Sequence, residues 1–488
     1  MNNKSITKNS SKFNIYSNLL VIAKDSVIYG GAELITKLIG FIAYPILAVV
    51  LLPEGFGTLE LIVTSTALIG LVMCCGLNNS VHRFYWDKET KDSDRATLVS
   101  SGLAVMIFFG LLTLLLCSTM IPMLSKQAGN YSLSITWIAL ISALFMMVFS
   151  QWLQYFLDVI RLHFAPWRFF SLSLITRVLG ISLGVIVVVW LKWGIDGFLL
   201  VQALSALVAL PLGFWLVRKD LTFHVSLSWI KKLIIFGYPF IFAEIAFWIF
   251  GSMDRWMIAS ITTIEETGIY SVSFRFVSIV LFVSMAFGQA WSPYAMKIKT
   301  ESPNTYREVY VHVLLLLLFI MLSIGGSLAL FSREIIGLIM PIEYQGSAIP
   351  LAILCFGIIL QSTTQITGIG ISLEKKTFLF ARLAWLTAIV NLVLNFILIP
   401  LYGAEGAAWA TTASYFVLTG SYLLFSQRLH PLPMPWKKLF IFLLIGTILL
   451  LFSVFENTIV LSINLIIIKL FVIIISMGLL WKFVLIEK

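Results

Sequence analysis

Glu33 and Lys37 stand four residues apart with the acid first, the favourable order for an intrahelical ion pair, in a stretch that is otherwise apolar. Arg177, Glu244, Asp254, Arg255, Arg275 and Lys469 are similarly set within long apolar runs. A charge at membrane depth costs roughly 2.5 to 3.5 kcal/mol on insertion scales, so such groups face a cavity or a partner. The chemistry on offer is binding and charge movement: a guanidinium can grip the oxygens of an anion in bidentate fashion, and a carboxylate can take up a proton or a cation. Uncharged polar groups supply a second component. Gln151, Gln154, Asp158 and Arg161 recur at helical spacing, and Gln361, Ser362, Thr363, Thr364, Gln365 and Thr367 form one cluster. Asn391 and Asn395 are one turn apart. Amides offer donor and acceptor together, which is what hydroxyl-rich ligands such as sugars require.

Each of these groups also has a plainer use. Glu33 and Lys37 could neutralise one another in a packed interface, and Arg177 and Arg275 could snorkel to the nearer membrane surface. Lys469 suits snorkelling or packing. Glu244 lies about 18 Å along its helix, too deep for so short a side chain to reach water, and is the strongest single candidate for coupled ion movement. Asp254 and Arg255 are adjacent and so point apart, as gate contacts or interfacial anchors. The glutamines and asparagines could serve interhelical hydrogen bonding, and Trp152, Tyr155, Phe156 and Trp167 could stack on sugars or pack against lipid.

The elements that position these groups follow from composition. Of 488 residues, 60% are hydrophobic and only 11% charged, against about 25% charged in soluble domains. Such a chain could not cover its own exterior in water, which excludes soluble enzymes, disordered tails and disulfide scaffolds and leaves an all-α, polytopic membrane protein. At about 20 residues per crossing, about fourteen transmembrane helices are expected, near 26–52, 57–80, 97–124, 133–159, 168–191, 195–217, 232–262, 268–292, 306–332, 347–373, 378–400, 404–427, 437–456 and 460–486. The runs are continuously apolar, so helices and not barrel strands are predicted. No cleavable signal is expected, because the first apolar run is span-length and lacks a small-residue cleavage site. Cys74, Cys75, Cys117 and Cys355 all fall inside spans and imply neither a disulfide framework nor a metal site.

The net charge of +10 is a topology signal. Alternate loops hold 25 of the 33 basic residues, while the opposite loops hold only Lys126, Lys192 and Arg333, so both termini are expected in the cytoplasm. No basic patch interleaved with aromatics points to nucleic acid. His82, His163, His224, His312 and His430 all fall near the cytoplasmic surface, without metal-ligand spacing or a convergent nucleophile and acid, so neither catalysis, a metal nor any other cofactor is expected.

The chain is internally duplicated. Gly55 to Leu61 resembles Glu266 to Val272 at a shift of 211, and Gly194-Ile195-Asp196-Gly197 resembles Gly403-Ala404-Glu405-Gly406 at a shift of 209. Gln151 falls on Gln361, and Glu33 on Glu244. Two parallel six-helix repeats are predicted around a central cavity, over 1–228 and 229–430, with an extra helix pair at 431–488.

The Gly57 turn with Glu60, Asn78 to Tyr85 with Arg83, Asp254-Arg255 followed by Thr267-Gly268-Ile269-Tyr270-Ser271, and Asn391-Leu392-Val393-Leu394-Asn395 through Pro400 to Ala408 occur together, in order. In this the chain resembles, over essentially its whole length, the O-antigen and capsule repeat-unit flippases of the multidrug/oligosaccharidyl-lipid/polysaccharide exporter superfamily. The resemblance implies a multi-pass protein of the inner membrane that carries an undecaprenyl-pyrophosphate-linked oligosaccharide across by alternating access. Membrane lipid would hold the polyprenyl tail, proton or sodium antiport could drive the cycle, and the polysaccharide polymerase machinery would be a neighbour. On that reading Lys37, Arg177 and Arg275 take the pyrophosphate, and Gln151, Gln154, Gln361, Gln365 and Asn391 the sugars. Glu33 and Glu244 couple an ion, and Asp254 and Arg255 form a gate. The rival is a cation-coupled multidrug exporter of the same superfamily. A site for organic cations should be dominated by carboxylates and aromatics, whereas the intramembrane charges of the duplicated core count as four basic against three acidic.

Overall fold

The computed structural model describes residues 10–88, 90–130, 135–163, 165–374, 376–456 and 463–482. Among them all regular structure is helical, as the continuous apolar runs require when no water is present to satisfy an open sheet edge. The helices, in chain order, are α1 (Ser10–Cys74), α2 (Leu77–Tyr85), α3 (Asp92–Asn130), α4 (Trp137–Leu162), α5 (Pro166–Val189), α6 (Gly194–Val217), α7 (Leu227–Ile261) and α8 (Ile264–Glu301). They continue with α9 (Tyr306–Leu330), α10 (Ser332–Ile339), α11 (Ala348–Ser362), α12 (Thr364–Thr367), α13 (Ile369–Leu373), α14 (Thr377–Leu429), α15 (Trp436–Glu456) and α16 (Ile463–Leu479).

Twelve helical segments among the described residues are long and apolar enough to cross a bilayer, against the fourteen or so expected. Two of them, Leu38–Tyr85 and Phe378–Leu429, run to 48 and 52 residues. Each has length for two passages and is broken by a left-handed residue, Leu52 (φ 59°) in α1 and Gly403 (φ 52°) in α14. At Gly403 the chain turns back on itself. Asn391 and Thr411 would lie about 30 Å apart in a straight helix, yet the Asn391 amide nitrogen stands 3.5 Å from the Thr411 hydroxyl. The Glu266 carboxylate accepts from the Ala404 N–H at 2.9 Å, capping the returning arm of α14. Gly194, at the position matching Gly403 in the duplication, is also left-handed (φ 60°).

The span expected at 347–373 is divided into α11, α12 and α13. Its hydroxyls explain the breaks. Ser362, Thr363 and Thr364 donate to the carbonyls of Ile359, Leu360 and Gln361 at 2.6, 2.7 and 2.6 Å, competing with the helical ladder.

The chain divides into two compact units: the first holds the residues through Leu47 together with Ser65–Phe242, the second Ala48–Thr64 together with Ala243 onward. In the first, α3, α4, α5 and α6 pack around Leu98, Met106, Val148, Tyr155 and Leu172, all nearly inaccessible. Tyr155 donates to the Val99 carbonyl at 2.7 Å and Trp152 to that of Met106 at 3.1 Å. These two aromatics therefore serve the core, while Trp167 is exposed. In the second unit the duplicated turns meet each other. A Cβ on Gly268 would sit 1.9 Å from the Pro53 carbonyl oxygen and one on Gly57 2.2 Å from that of Ile264, so both turns need glycine for backbone-to-backbone approach. Lys469 of α16 is fully buried and donates to both oxygens of Glu334 at 2.5 and 2.7 Å, packing and not snorkelling.

Gly268→Ala should lower the melting temperature of the detergent-solubilised protein by an amount equivalent to about 1 to 3 kcal/mol of overpacking. Gly251→Ala, where an added methyl meets nothing within 4 Å, should leave it unchanged or raise it slightly; thermal unfolding compares the two.

Candidate functional site

In the first unit α4, α5 and α6 enclose a cavity of about 320 Å³. Gln151 and Gln154 enter it from α4, Thr176 and Arg177 from α5, and Gln202 from α6. Helical spacing accounts for the first pair, because residues three apart on α4 share a face. Gln151 is seated by its surroundings: its amide oxygen lies 3.0 Å from the Cys74 sulfur, and a Cβ on Gly70 would come within 2.8 Å of its nitrogen. Arg177 donates to the Gln154 oxygen at 3.4 Å, and Gln154 in turn donates to Asp158 at 3.1 Å. Asp158 is also 3.6 Å from Arg161. Among the described residues Arg177 is the one charged side chain lining the cavity. Sequence reasoning missed Ser150, Thr176 and Gln202; the last stands alone in a strongly apolar span, and its only signal was being polar there.

The second unit treats its charges differently. Glu60, on α1 beyond the break at Leu52, is nearly inaccessible and reaches two arginines of the unit, Arg255 and Arg275. Its Oε1 accepts from Arg275 Nη2 at 2.5 Å and Nε at 3.2 Å, and its Oε2 lies 3.8 Å from Arg255 Nε. Arg255 stands 3.3 Å from Asp254, whose other oxygen accepts from the Tyr270 hydroxyl at 2.5 Å. Two carboxylates and two guanidinium groups thus form one balanced network. Asp254 and Arg255 do not simply point apart, because the long Arg255 side chain folds back to its neighbour and to the Gly251 carbonyl at 2.8 Å. Counting Glu60 as a turn residue omitted a buried acid. With it the core's intramembrane charges balance at four and four, so the excess of basic charge read from the sequence does not stand.

The remaining candidates are dispersed within the unit. Gln361 has a buried amide oxygen without a hydrogen-bond partner, and Gln365 lies against Gly288. Asn391 is fully buried inside the α14 hairpin, accepting from Asn395 at 3.0 Å. Glu244 is half-buried on α7. The side chains of Glu33 and Lys37 lie outside the described residues. An apolar groove of about 940 Å³ runs between α9, α11, the returning arm of α14 and α15, with Leu314, Phe356, Phe416 and Phe440 in its walls. Among the described residues no three His, Cys, Asp or Glu side chains gather as metal ligands would.

Apolar helices of crossing length, each unit built on its own core, and a polar cavity enclosed by three of those helices define a multi-pass membrane protein with a polar recess. Residues 22–299 match the polysaccharide biosynthesis protein family. The chain belongs to that family. It is 26% identical over 253 residues to a protein of Haloferax volcanii described as a probable low-salt glycan biosynthesis flippase, covering 51% of this chain and 52% of the relative. It is 25% identical over 283 residues to the Lsg locus putative protein 1 of Haemophilus influenzae, covering 56% and 65%. The chain therefore spans about half to two thirds of the length of these curated relatives. Its fold is similar to that of the lipid II flippase MurJ in an inward closed conformation, at TM-score 0.74 and 14% identity, over 93% of this chain and 99% of the other. It is also similar to an inward-facing multidrug resistance transporter of the MOP superfamily, at TM-score 0.62 and 14% identity over 80% and 94%.

Glu60→Gln should destabilise the protein by about 3 to 5 kcal/mol, because it strips the buried Arg255 and the half-buried Arg275 of their shared counterion. A cycle with Arg275→Gln, read by denaturant or thermal unfolding in detergent, should show the two changes to be strongly non-additive.

Proposed function

We propose that this chain is a flippase that carries an undecaprenyl-pyrophosphate-linked oligosaccharide repeat unit from the cytoplasmic to the external leaflet of the inner membrane, by alternating access, with both termini in the cytoplasm. The observation that carries the reading is the cavity of the first unit. Among the described residues its lining combines one guanidinium with three amides and no carboxylate, a composition that suits an anionic, hydroxyl-rich ligand better than an organic cation. Arg177 would hold a pyrophosphate oxygen, and Gln151, Gln154 and Gln202 would contact the first sugars. Gln361, Gln365 and Asn391 would serve later stages of passage, and Arg275 would meet the ligand only on leaving Glu60. Lys37 keeps its assignment from the sequence. The apolar groove along α15 offers a bed for the polyprenyl chain, which would give the extra helix pair a part in holding substrate. Membership of the polysaccharide biosynthesis family supports the reading, and handover to the polymerase machinery would follow on the external side.

Arg177→Gln should reduce export about tenfold through loss of a charged hydrogen bond, with protein level unchanged, read as accumulation of lipid-linked repeat units and loss of surface glycan. If the variant instead alters efflux of organic cations and spares glycan, the multidrug reading replaces this one.

Proton or sodium antiport would draw about 2.3 kcal/mol per charge per 100 mV of membrane potential, with Glu33 and Glu244 as the acids. Glu244→Gln, alone and with Glu33→Gln, should abolish the response of transport in proteoliposomes to an imposed proton or sodium gradient. An unaltered response assigns coupling elsewhere.

A further inference from the structure

At the C-terminal end of α4, His163 Nε2 lies 2.9 Å from Asp220, which follows α6 directly. At the end of α13, Glu374 lies 3.3 Å from His430 Nδ1, which terminates α14. Glu374 stands 211 positions after His163, and His430 stands 210 after Asp220, the same displacement that relates the two repeats. The pair has therefore been kept in both halves with its acid and its imidazole exchanged. A third position follows the rule. Arg95 stacks 5.1 Å from the centroid of Tyr85, whose hydroxyl is 3.5 Å from His163, and its counterpart 211 residues on, Tyr306, places its own hydroxyl 2.7 Å from His430.

Exchange of partners across a duplication is what a pairing constraint leaves behind. A helix-end histidine that merely satisfied its own backbone would have no reason to find an acid where its repeat-mate has one. In the first unit the pair joins the ends of the two helices that present Gln151, Gln154 and Gln202 to the cavity. In the second it joins the end of the segment bearing Gln361 and Gln365 to the end of the returning arm of α14. We propose that these imidazole–carboxylate pairs are a duplicated latch on the basic-loop side of the membrane, and that release of the His163–Asp220 latch parts the ends of α4 and α6 and admits ligand to the cavity. This inference rests on the cavity being the binding site of the proposed function.

The neighbouring charges fit a latch of limited strength. Arg168 faces Asp220 and competes for it. Around His430, burial outweighs the pull of Glu374 and holds the imidazole below its ordinary value, with Lys299 and Arg307 adding to the depression. The second latch is then a hydrogen bond from a neutral ring near pH 7, with Nδ1–H donating to Glu374 and Nε2 accepting from Tyr306. That is easier to part than an ion pair.

The test uses the full chain with its four cysteines replaced by serine and Ala206→Cys introduced into the cavity wall, labelled in inverted membrane vesicles by a membrane-impermeant maleimide. His163→Glu, which opposes two carboxylates, should raise the labelling rate about tenfold. Adding Asp220→His, which gives the first unit the arrangement native to the second, should restore the parental rate. Asp220→Asn removes the imidazole–carboxylate pair without introducing repulsion, should the reversal impair folding, and its labelling should rise in the same direction. Unchanged labelling in these single variants at parental melting temperature overturns the latch, as does elevated labelling that persists in the exchanged pair. Labelling needs no glycan, so a latch that responds while Arg177→Gln leaves export intact would overturn the substrate reading alone.

Discussion

A carboxylate or guanidinium placed among apolar helices must find its counterpart there, because water is absent and an unpaired buried charge costs several kcal/mol. Glu60 is where this chain meets that constraint. One side chain serves Arg275 through one oxygen and Arg255 through the other, and Arg255 shares Asp254 with Tyr270. The network fixes the α1 segment after Leu52 against α7 and α8, and the glycine contacts of Gly57 and Gly268 let the backbones come close enough for it to form. Without those glycines the acid would not reach both bases.

Much of the architecture was legible because membrane helices obey few rules. Length, continuous hydropathy and alternating loop charge place spans without knowledge of packing, and the duplication was visible at Gly194 and Gly403, which share a left-handed backbone. What escaped is what depends on a partner. Glu60 looked like a turn residue because sequence cannot tell an acid at the rim of a helix from one driven inward by two arginines far along the chain. Asn391 also bonds across the α14 hairpin to Thr411 and along its own arm to Asn395, contacts that its spacing alone does not reveal. The hydroxyl cluster at Ser362 to Thr367 looked like a binding stripe and instead bonds mainly to its own preceding turn, breaking the span. Local periodicity gives the face a residue occupies; the identity of what lies opposite is a tertiary fact.

The two units consequently put the same kind of residue to different use. In the second, arginines are bound to acids at distances of 2.5 to 3.8 Å, and the polar groups near them are buried. In the first, Arg177 lies at a cavity whose other described polar lining is neutral, and it donates to Gln154, which donates in turn to Asp158. Such a relay helps to orient the guanidinium at the cavity. A carboxylate bound directly to a guanidinium, as Glu60 is to Arg275, has to be displaced by any incoming anion, at a cost comparable to the affinity gained. The sign of a transport site is accordingly a property of which charges are already neutralised and not of how many a sequence contains.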